Sequence, residues 1–199
     1  MTESSHPQME RSPKAEEIIK RTNELIARGG YNSFSYADIA ELVQVRKASI
    51  HHHFPTKADL VKVTVARHCE AIRQGLRSMD ESIPDPLVRL ETYCRWWASC
   101  VQSSAPPICI CALLAAELPS IPTEVAELVQ EHFRELSTWI AAVIEQGRST
   151  GKIRSTVEPA KEGLAFMASI HGAMLAARAL GDPELFARIC EQSLDRLKV

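Results

Sequence analysis

Two groups of residues in this chain carry chemistry beyond folding. The first is Val45-Arg46-Lys47-Ala48-Ser49-Ile50-His51-His52-His53-Phe54-Pro55-Thr56-Lys57, with three cations beside three imidazoles. Adjacent histidines suggest a metal, but consecutive side chains on a helix point in three directions and cannot close on one tetrahedral ion. A surface of hydroxyl, imidazole and ammonium groups suits phosphate oxygens instead, and Arg46 or Lys47 can donate to guanine O6 and N7. The second group is the six cysteines, irregularly spaced. A thiol becomes reactive when a helix N-terminus or a cation lowers its pKa and solvent reaches it. Cys109 follows Pro106-Pro107 at the head of an apolar segment and meets the first condition. Cys109 and Cys111, two apart on one helix, are expected to point nearly opposite ways. The alternative for all six is a role as small buried hydrophobes.

Composition bounds what these groups can serve. The 199 residues are 45% hydrophobic and 24% charged, and no uninterrupted apolar run approaches the roughly 18 residues of a membrane span. No membrane partner is expected. The N-terminus lacks the apolar stretch of an export signal, so a cytoplasmic address with reduced thiols is expected, and residues 1–12 read as a disordered leader. The net charge of −2 hides an asymmetry: residues 11–73 hold eleven Lys and Arg against seven Asp and Glu, while the remainder is acidic. A basic module on an acidic body is the distribution expected when only the first part meets a polyanion.

The elements that position these residues read as helices throughout. Apolar residues recur at i, i+3, i+4 and i+7, and prolines fall between the periodic stretches. The first helix is predicted from about Lys14 to Arg28, with Ile18, Ile19, Leu25 and Ile26 as its apolar stripe. Ser35 caps a two-turn helix, with Asp38 completing a capping-box-like start. Thr56 caps a long helix that opens at Lys57 and runs to about Ser78, long enough to leave a small module and enter a larger body. Further helices follow from about Pro86 to Ser103, and over an apolar segment containing Cys109 and Cys111. A long amphipathic stretch and two closing helices complete the count. The fold class is all-α, with about nine helices.

A long helix, two short helices joined by a tight turn, and a second long helix make a helix-turn-helix arrangement. The run from Phe34-Ser35-Tyr36-Ala37-Asp38-Ile39-Ala40 through Val45-Arg46-Lys47 to Phe54-Pro55-Thr56-Lys57-Ala58-Asp59-Leu60 resembles the N-terminal domain of TetR-type transcriptional regulators, over about 47 residues. The resemblance implies a division into a DNA-binding domain at 13–57 and an effector-binding and dimerisation domain at 58–199. Its partners would be double-stranded operator DNA, a small apolar or electrophilic effector and a second copy of the chain, with no cofactor, metal or catalysis. Ile39, Leu42, Val45, Ile50 and Phe54 have core spacing. Ser35, Tyr36, Arg46, Lys47, Ser49, His51, His52 and Lys57 are left for DNA; by resemblance, Ser49, His51 and Lys57 are phosphate-side and Arg46 and Lys47 nearer the bases. Two departures stand out. Gln44 replaces the family's usual glycine, so a side chain must tolerate a left-handed turn at about 1–2 kcal/mol. Arg46 replaces a capping Ser or Thr, which forgoes about 1 kcal/mol and sets a cation at the positive end of a helix. An anion nearby reverses that penalty.

In the body, Ala165, Ser169, Gly172 and Ala176 form a small-residue stripe, and Leu185, Ile189 and Leu197 an apolar one. Two such helices from each subunit would make a four-helix, two-fold interface; internal packing is the alternative. Tyr93, Trp96, Trp97 and Cys100 could line an apolar effector pocket with Phe133, Trp139, Met167 and His171, or be ordinary core. Pro107-Ile108-Cys109-Ile110-Cys111 through Glu117, with Gly147-x-x-x-Gly151-x-Ile153, resembles the TetR subgroup containing the N-ethylmaleimide-responsive repressor. That likeness implies an electrophile-sensing cysteine at Cys109. A cysteine-dependent enzyme is a remote alternative, since no His or Asp stands at a recognisable motif spacing from a cysteine.

Overall fold

The computed structural model describes residues 12–102, 108–154, 156 and 158–199. The expected leader, apart from Ser12, and the Pro-containing break at 103–107 fall outside the described residues. Nine α-helices occur among the described residues: α1 (Pro13–Gly29), α2 (Tyr36–Val43), α3 (Lys47–His53), α4 (Lys57–Ser82), α5 (Pro86–Gln102), α6 (Ile110–Ala116), α7 (Thr123–Ser149), α8 (Pro159–Leu180) and α9 (Glu184–Asp195). The only β pairing there is a single bridge between Ile153 and Lys198.

Local chemistry starts and stops the first helices. Ser12 accepts from the Ala15 amide ahead of Pro13, whose missing N–H is no loss in a first turn. Ser35 with Asp38, and Thr56 with Asp59, form full capping boxes that open α2 and α4. Between α2 and α3, Gln44 adopts φ 54°, ψ 50°, the left-handed conformation its position demands. α1, α2 and α3 close around Ile18, Ile26, Ile39, Ile50, Phe54 and Leu60, each at most 1% exposed. Leu42 does not join them: it is 46% exposed, because Ile39, Ala40 and Val43 occupy the inner face of a two-turn helix and position 42 falls outside that arc. Val45 is half-buried against the same core.

α4 leaves this head and runs into a body of α5, α7, α8 and α9, packed chiefly as the layers α7 on α8 and α8 on α9. Gly163 permits the closest approach, since a Cβ there would meet the Ala141 backbone nitrogen at 3.0 Å. The buried Arg89 ties the α4–α5 corner to α7 by donating to the Ile83 carbonyl, to Asp80 at 2.9 Å and to Gln146 at 3.2 Å. Short α6 lies between head and body, touching α1 on one side and α7 and α4 on the other. α8 is long and apolar enough to cross a bilayer by composition. Here it buries one face on α7 and α9, and Arg178 near its end donates to the last α1 carbonyls at Ala27 and Arg28.

Candidate nucleic-acid interface and interior site

On the outer edge of α3 the cations stand ready for a polyanion. Arg46 precedes the helix in an extended conformation with no side-chain cap, and Arg46, Lys47 and His52 are exposed. Ser35 is exposed, with its hydroxyl engaged in its capping box, and Ser49 is half-buried. His51 holds Nδ1 3.0 Å from the Pro55 carbonyl. A carbonyl only accepts, so the proton sits on Nδ1 and Nε2 faces outward, able to donate to phosphate only as imidazolium. His53 turns partly inward beside Phe54.

Two of the eight residues assigned to DNA are placed differently. Tyr36 is buried: its hydroxyl donates to the carbonyls of Phe54 at 2.9 Å and Thr56 at 2.6 Å, and burial pushes the phenol well above its ordinary pKa. The ring packs edge-on to His51 at 4.8 Å, so Tyr36 fixes the α3–α4 turn rather than reaching DNA. Lys57 folds back: its ammonium donates to the Phe34 carbonyl and lies over the rings of Tyr31 at 4.5 Å and Phe34 at 4.2 Å. Its burial lowers the pKa, while Glu117 and Asp38 act in the opposite direction.

Glu117 joins head to body. It caps α6, and its carboxylate accepts from the Tyr31 amide at 2.5 Å and from the Asn32 amide and side chain, both at 3.3 Å. Gly30 is required beside it, both for φ 83° and because a Cβ there would overlap the carboxylate.

The other end of α6 enters a sulfur-rich interior. Cys109 precedes the helix, with φ −56° and ψ 121°, so the opposed directions expected of two helical cysteines do not arise, and both thiols face one cluster. Cys109 Sγ lies 3.5 Å from His68 Nε2 and 3.9 Å from His132 Nε2, and Cys69 Sγ lies 3.8 Å from Cys111 Sγ. Hydrogen bonding from Cys111 and from the surrounding imidazoles, against the opposing effect of burial, holds the Cys109 thiol well below its ordinary pKa. Burial works against charge on His132, yet the Cys109 and Cys69 sulfurs push its pKa up to about 10. His68, Cys69 and His132 were not singled out in the sequence: the pairs His68-Cys69 and Cys109-x-Cys111 were a signal, but His132 meets them only through packing.

The residues expected to line an effector pocket divide. Tyr93 and Trp97 are buried, and the Tyr93 hydroxyl and Trp97 Nε1 have no hydrogen-bond partner among the described residues. His171 anchors Nδ1 at the Met167 carbonyl, has no partner for Nε2 among the described residues by hydrogen-bond geometry, and packs edge-on to Phe133 at 5.0 Å. With Cys109 these residues supply polar atoms to an apolar interior. Trp96 does not belong with them: it is 39% exposed, because α5 turns Tyr93 and Trp97 inward and the intervening position outward. Cys100 is half-buried, and Trp139 packs its ring on Tyr93 at 5.8 Å while its Nε1 donates to Asp80 at 2.9 Å in a groove of about 500 Å³ between α4 and α7.

On α8, Ala165 and Gly172 are exposed beside Leu164 and Leu175, and Ser169 and Ala176 are half-exposed. Leu185 and Ile189 are half-buried on α9. Leu197 is fully buried in its own chain, where the Ile153–Lys198 bridge folds the C-terminus inward, so it is not on this face.

A helix-turn-helix head carried by a larger all-helical body, with an interior site mechanically joined to the head, defines a DNA-binding regulator. Residues 18–64 match the family described as bacterial regulatory proteins, tetR family, and residues 86–193 match the tetracyclin repressor-like C-terminal domain. The chain belongs to the TetR family of DNA-binding transcriptional regulators. It is similar to a TetR-family transcriptional regulator from Agrobacterium tumefaciens, with 44% identity, 94% of this chain and 98% of that one covered, and a TM-score of 0.91. Escherichia coli NemR in its reduced form shares the fold at 18% identity and a TM-score of 0.81, covering 94% of this chain and 98% of that one. An HTH-type transcriptional regulator from the lacX 3′ region of Lactococcus lactis subsp. lactis is 24% identical, covering 92% of this chain and 90% of its own length.

Proposed function

We propose that the protein is a homodimeric repressor that occupies a palindromic operator and leaves it when a small effector binds the body. Residues 13–57 would read the half-site, with Arg46 and Lys47 toward the bases and Ser49, His51 and His52 toward phosphate. Residues 58–199 would hold the effector and the second subunit, and the protein would act on DNA in the cytoplasm. The observation that carries this reading is the Glu117 junction. α6 begins in the sulfur-rich interior and ends on the Tyr31 and Asn32 amides, so a ligand that displaces its start also displaces the head. The exposed apolar face of α8 supports pairing with a second α8 and α9, which would set two heads about one helical turn, about 34–36 Å, apart. A ligand shifts this equilibrium only through unequal affinity for the two head spacings.

The test is to sequence the genomic fragments retained by the purified protein while measuring its mass by light scattering. A dimer enriching a two-fold symmetric sequence supports the reading; a monomer, or retention without sequence preference, overturns it. A second reading, release by thiol modification, is favoured by the 3.5 Å contact between Cys109 Sγ and His68 Nε2, and it requires an opening of the interior, since Cys109 is fully buried. Treatment with N-ethylmaleimide then releases the DNA from the wild type and not from Cys109→Ser.

A further inference from the structure

Three helices and the residue before one of them bring five sulfur and imidazole donors close together in the interior. His68 and Cys69 come from α4, Cys111 from α6, His132 from α7, and Cys109 immediately precedes α6. They form two triads, His68–Cys109–Cys111 and Cys69–Cys111–His132, each with its ligand atoms within 4.8 Å of one another. Cys111 belongs to both, and the Cys109–His132 contact at 3.9 Å links them. A tetrahedral ion with bonds of about 2.3 Å to sulfur and about 2.0–2.1 Å to nitrogen needs S···S edges of about 3.8 Å and S···N edges of about 3.5 Å. In the Cys69–Cys111–His132 triad the S···S separation is 3.8 Å, in the other triad Cys109 Sγ lies 3.5 Å from His68 Nε2, and the remaining edges are within 4.8 Å.

The donor set selects the class of ion. Neither triad contains a carboxylate, so calcium and magnesium, which take oxygen ligands, are poorly matched, while thiolates and imidazoles suit soft and borderline ions. Cys69, Cys109, Cys111 and His132 are each at most 3% exposed, a water-excluded setting in which such bonds hold. A groove between α1 and α4 is lined by His68, and one between α4 and α7 by His132.

We propose that Cys69, Cys111 and His132 form the binding site for a thiophilic metal ion, zinc(II) or copper(I), with Cys109 and His68 alongside, and that this ion is an effector of the regulator. The second half rests on the repressor function proposed above. Binding replaces S–H bonds with S–metal bonds and releases the thiol protons to solvent, with no change of oxidation state. An ion held by Cys111 and its neighbours pins α4, α6 and α7 together. α4 is the helix by which the head enters the body and α6 carries Glu117, so occupancy acts on both connections between site and head.

The experiment uses full-length, reduced, chelator-stripped protein titrated with zinc(II) and cobalt(II), and separately with copper(I) against a chromophoric competitor. Uptake of one ion per chain supports the site if Cys111→Ser weakens binding by more than about 100-fold, beyond the usual effect of losing an outer-shell contact, while Cys94→Ala does not. With cobalt(II), sulfur-to-metal charge-transfer absorption accompanies that uptake. Uptake of copper(I) alone assigns the site to copper. Cys69→Ser and His132→Gln, checked by circular dichroism, give the same reading should Cys111→Ser fail to fold. No retention of either ion, or retention unchanged in all three variants, overturns the site. Fluorescence anisotropy on DNA retained by the metal-free protein reads the effector role, for which a shift of about 10-fold or more in affinity is expected. Metal uptake with unchanged DNA affinity overturns that role and leaves the site standing. Metal uptake with no DNA retained by either form overturns the repressor reading, and with it the effector role, but not the site.

Discussion

Replacing Glu117 with alanine tests the junction between body and head. Three hydrogen bonds are lost, one to the Tyr31 amide at 2.5 Å and two to Asn32 at 3.3 Å. Bonds to a charged acceptor are worth about 1.5–3 kcal/mol, but this carboxylate is only half-buried and the Asn32 contacts are exposed, so about 2 kcal/mol in total is reasonable. At 1.4 kcal/mol per factor of ten in an equilibrium constant, local opening of the Tyr31–Ser33 turn becomes about 30-fold more populated. Native-state hydrogen exchange is the assay. The Tyr31 and Asn32 amides should exchange about 10–30-fold faster in Glu117→Ala, while the Val129 to Ile144 core of α7 keeps its protection. Glu117→Gln, which retains a neutral acceptor, should fall between the two. The same variant should respond less to any effector in DNA binding, since α6 no longer pulls on the head. Unchanged exchange at Tyr31 and Asn32, or an equal loss of protection throughout the body, would refute the idea that Glu117 is a specific tether.

Other outcomes follow from the head and the exposed face of α8. Arg46→Ala should weaken operator binding by about 1–3 kcal/mol and relax the sequence preference at the base pair it faces, as expected for one lost base-side cation. Tyr36→Phe removes the bonds to Phe54 and Thr56 and should cost about 1–2 kcal/mol in chemical denaturation, leaving the salt slope at its wild-type value. Gln44→Gly should raise stability by about 0.5–1 kcal/mol in the same assay, because glycine adopts φ 54° without the Cβ penalty. Leu175→Glu sets a charge in the exposed apolar face of α8 and should halve the mass seen by light scattering, with the head still folded by circular dichroism.

Much of the head was legible from residue types because its rules are local. The capping box at Ser35, the cap at Thr56, the left-handed turn at Gln44 and the uncapped Arg46 each depend on a few neighbouring residues, and all appear in the structure. Leu42 and Tyr36 were misread because spacing alone does not say which arc of a two-turn helix meets its neighbours. Tyr36 is amphipathic, and the carbonyls that claim its hydroxyl lie 18 and 20 residues further on.

The interior site was not legible in this way. Periodicity determined that the chain is helical, and charge and motif determined which end meets DNA, since both reflect short-range sterics or the summed charge of a segment. Tertiary packing alone decided that His68 and Cys109, 41 positions apart, share a sulfur cluster. It also decided that Glu117 reaches back 86 residues to Tyr31. Such meetings depend on how four helices are laid against one another, a geometry set by many weak contacts at once and written in no single stretch of residues.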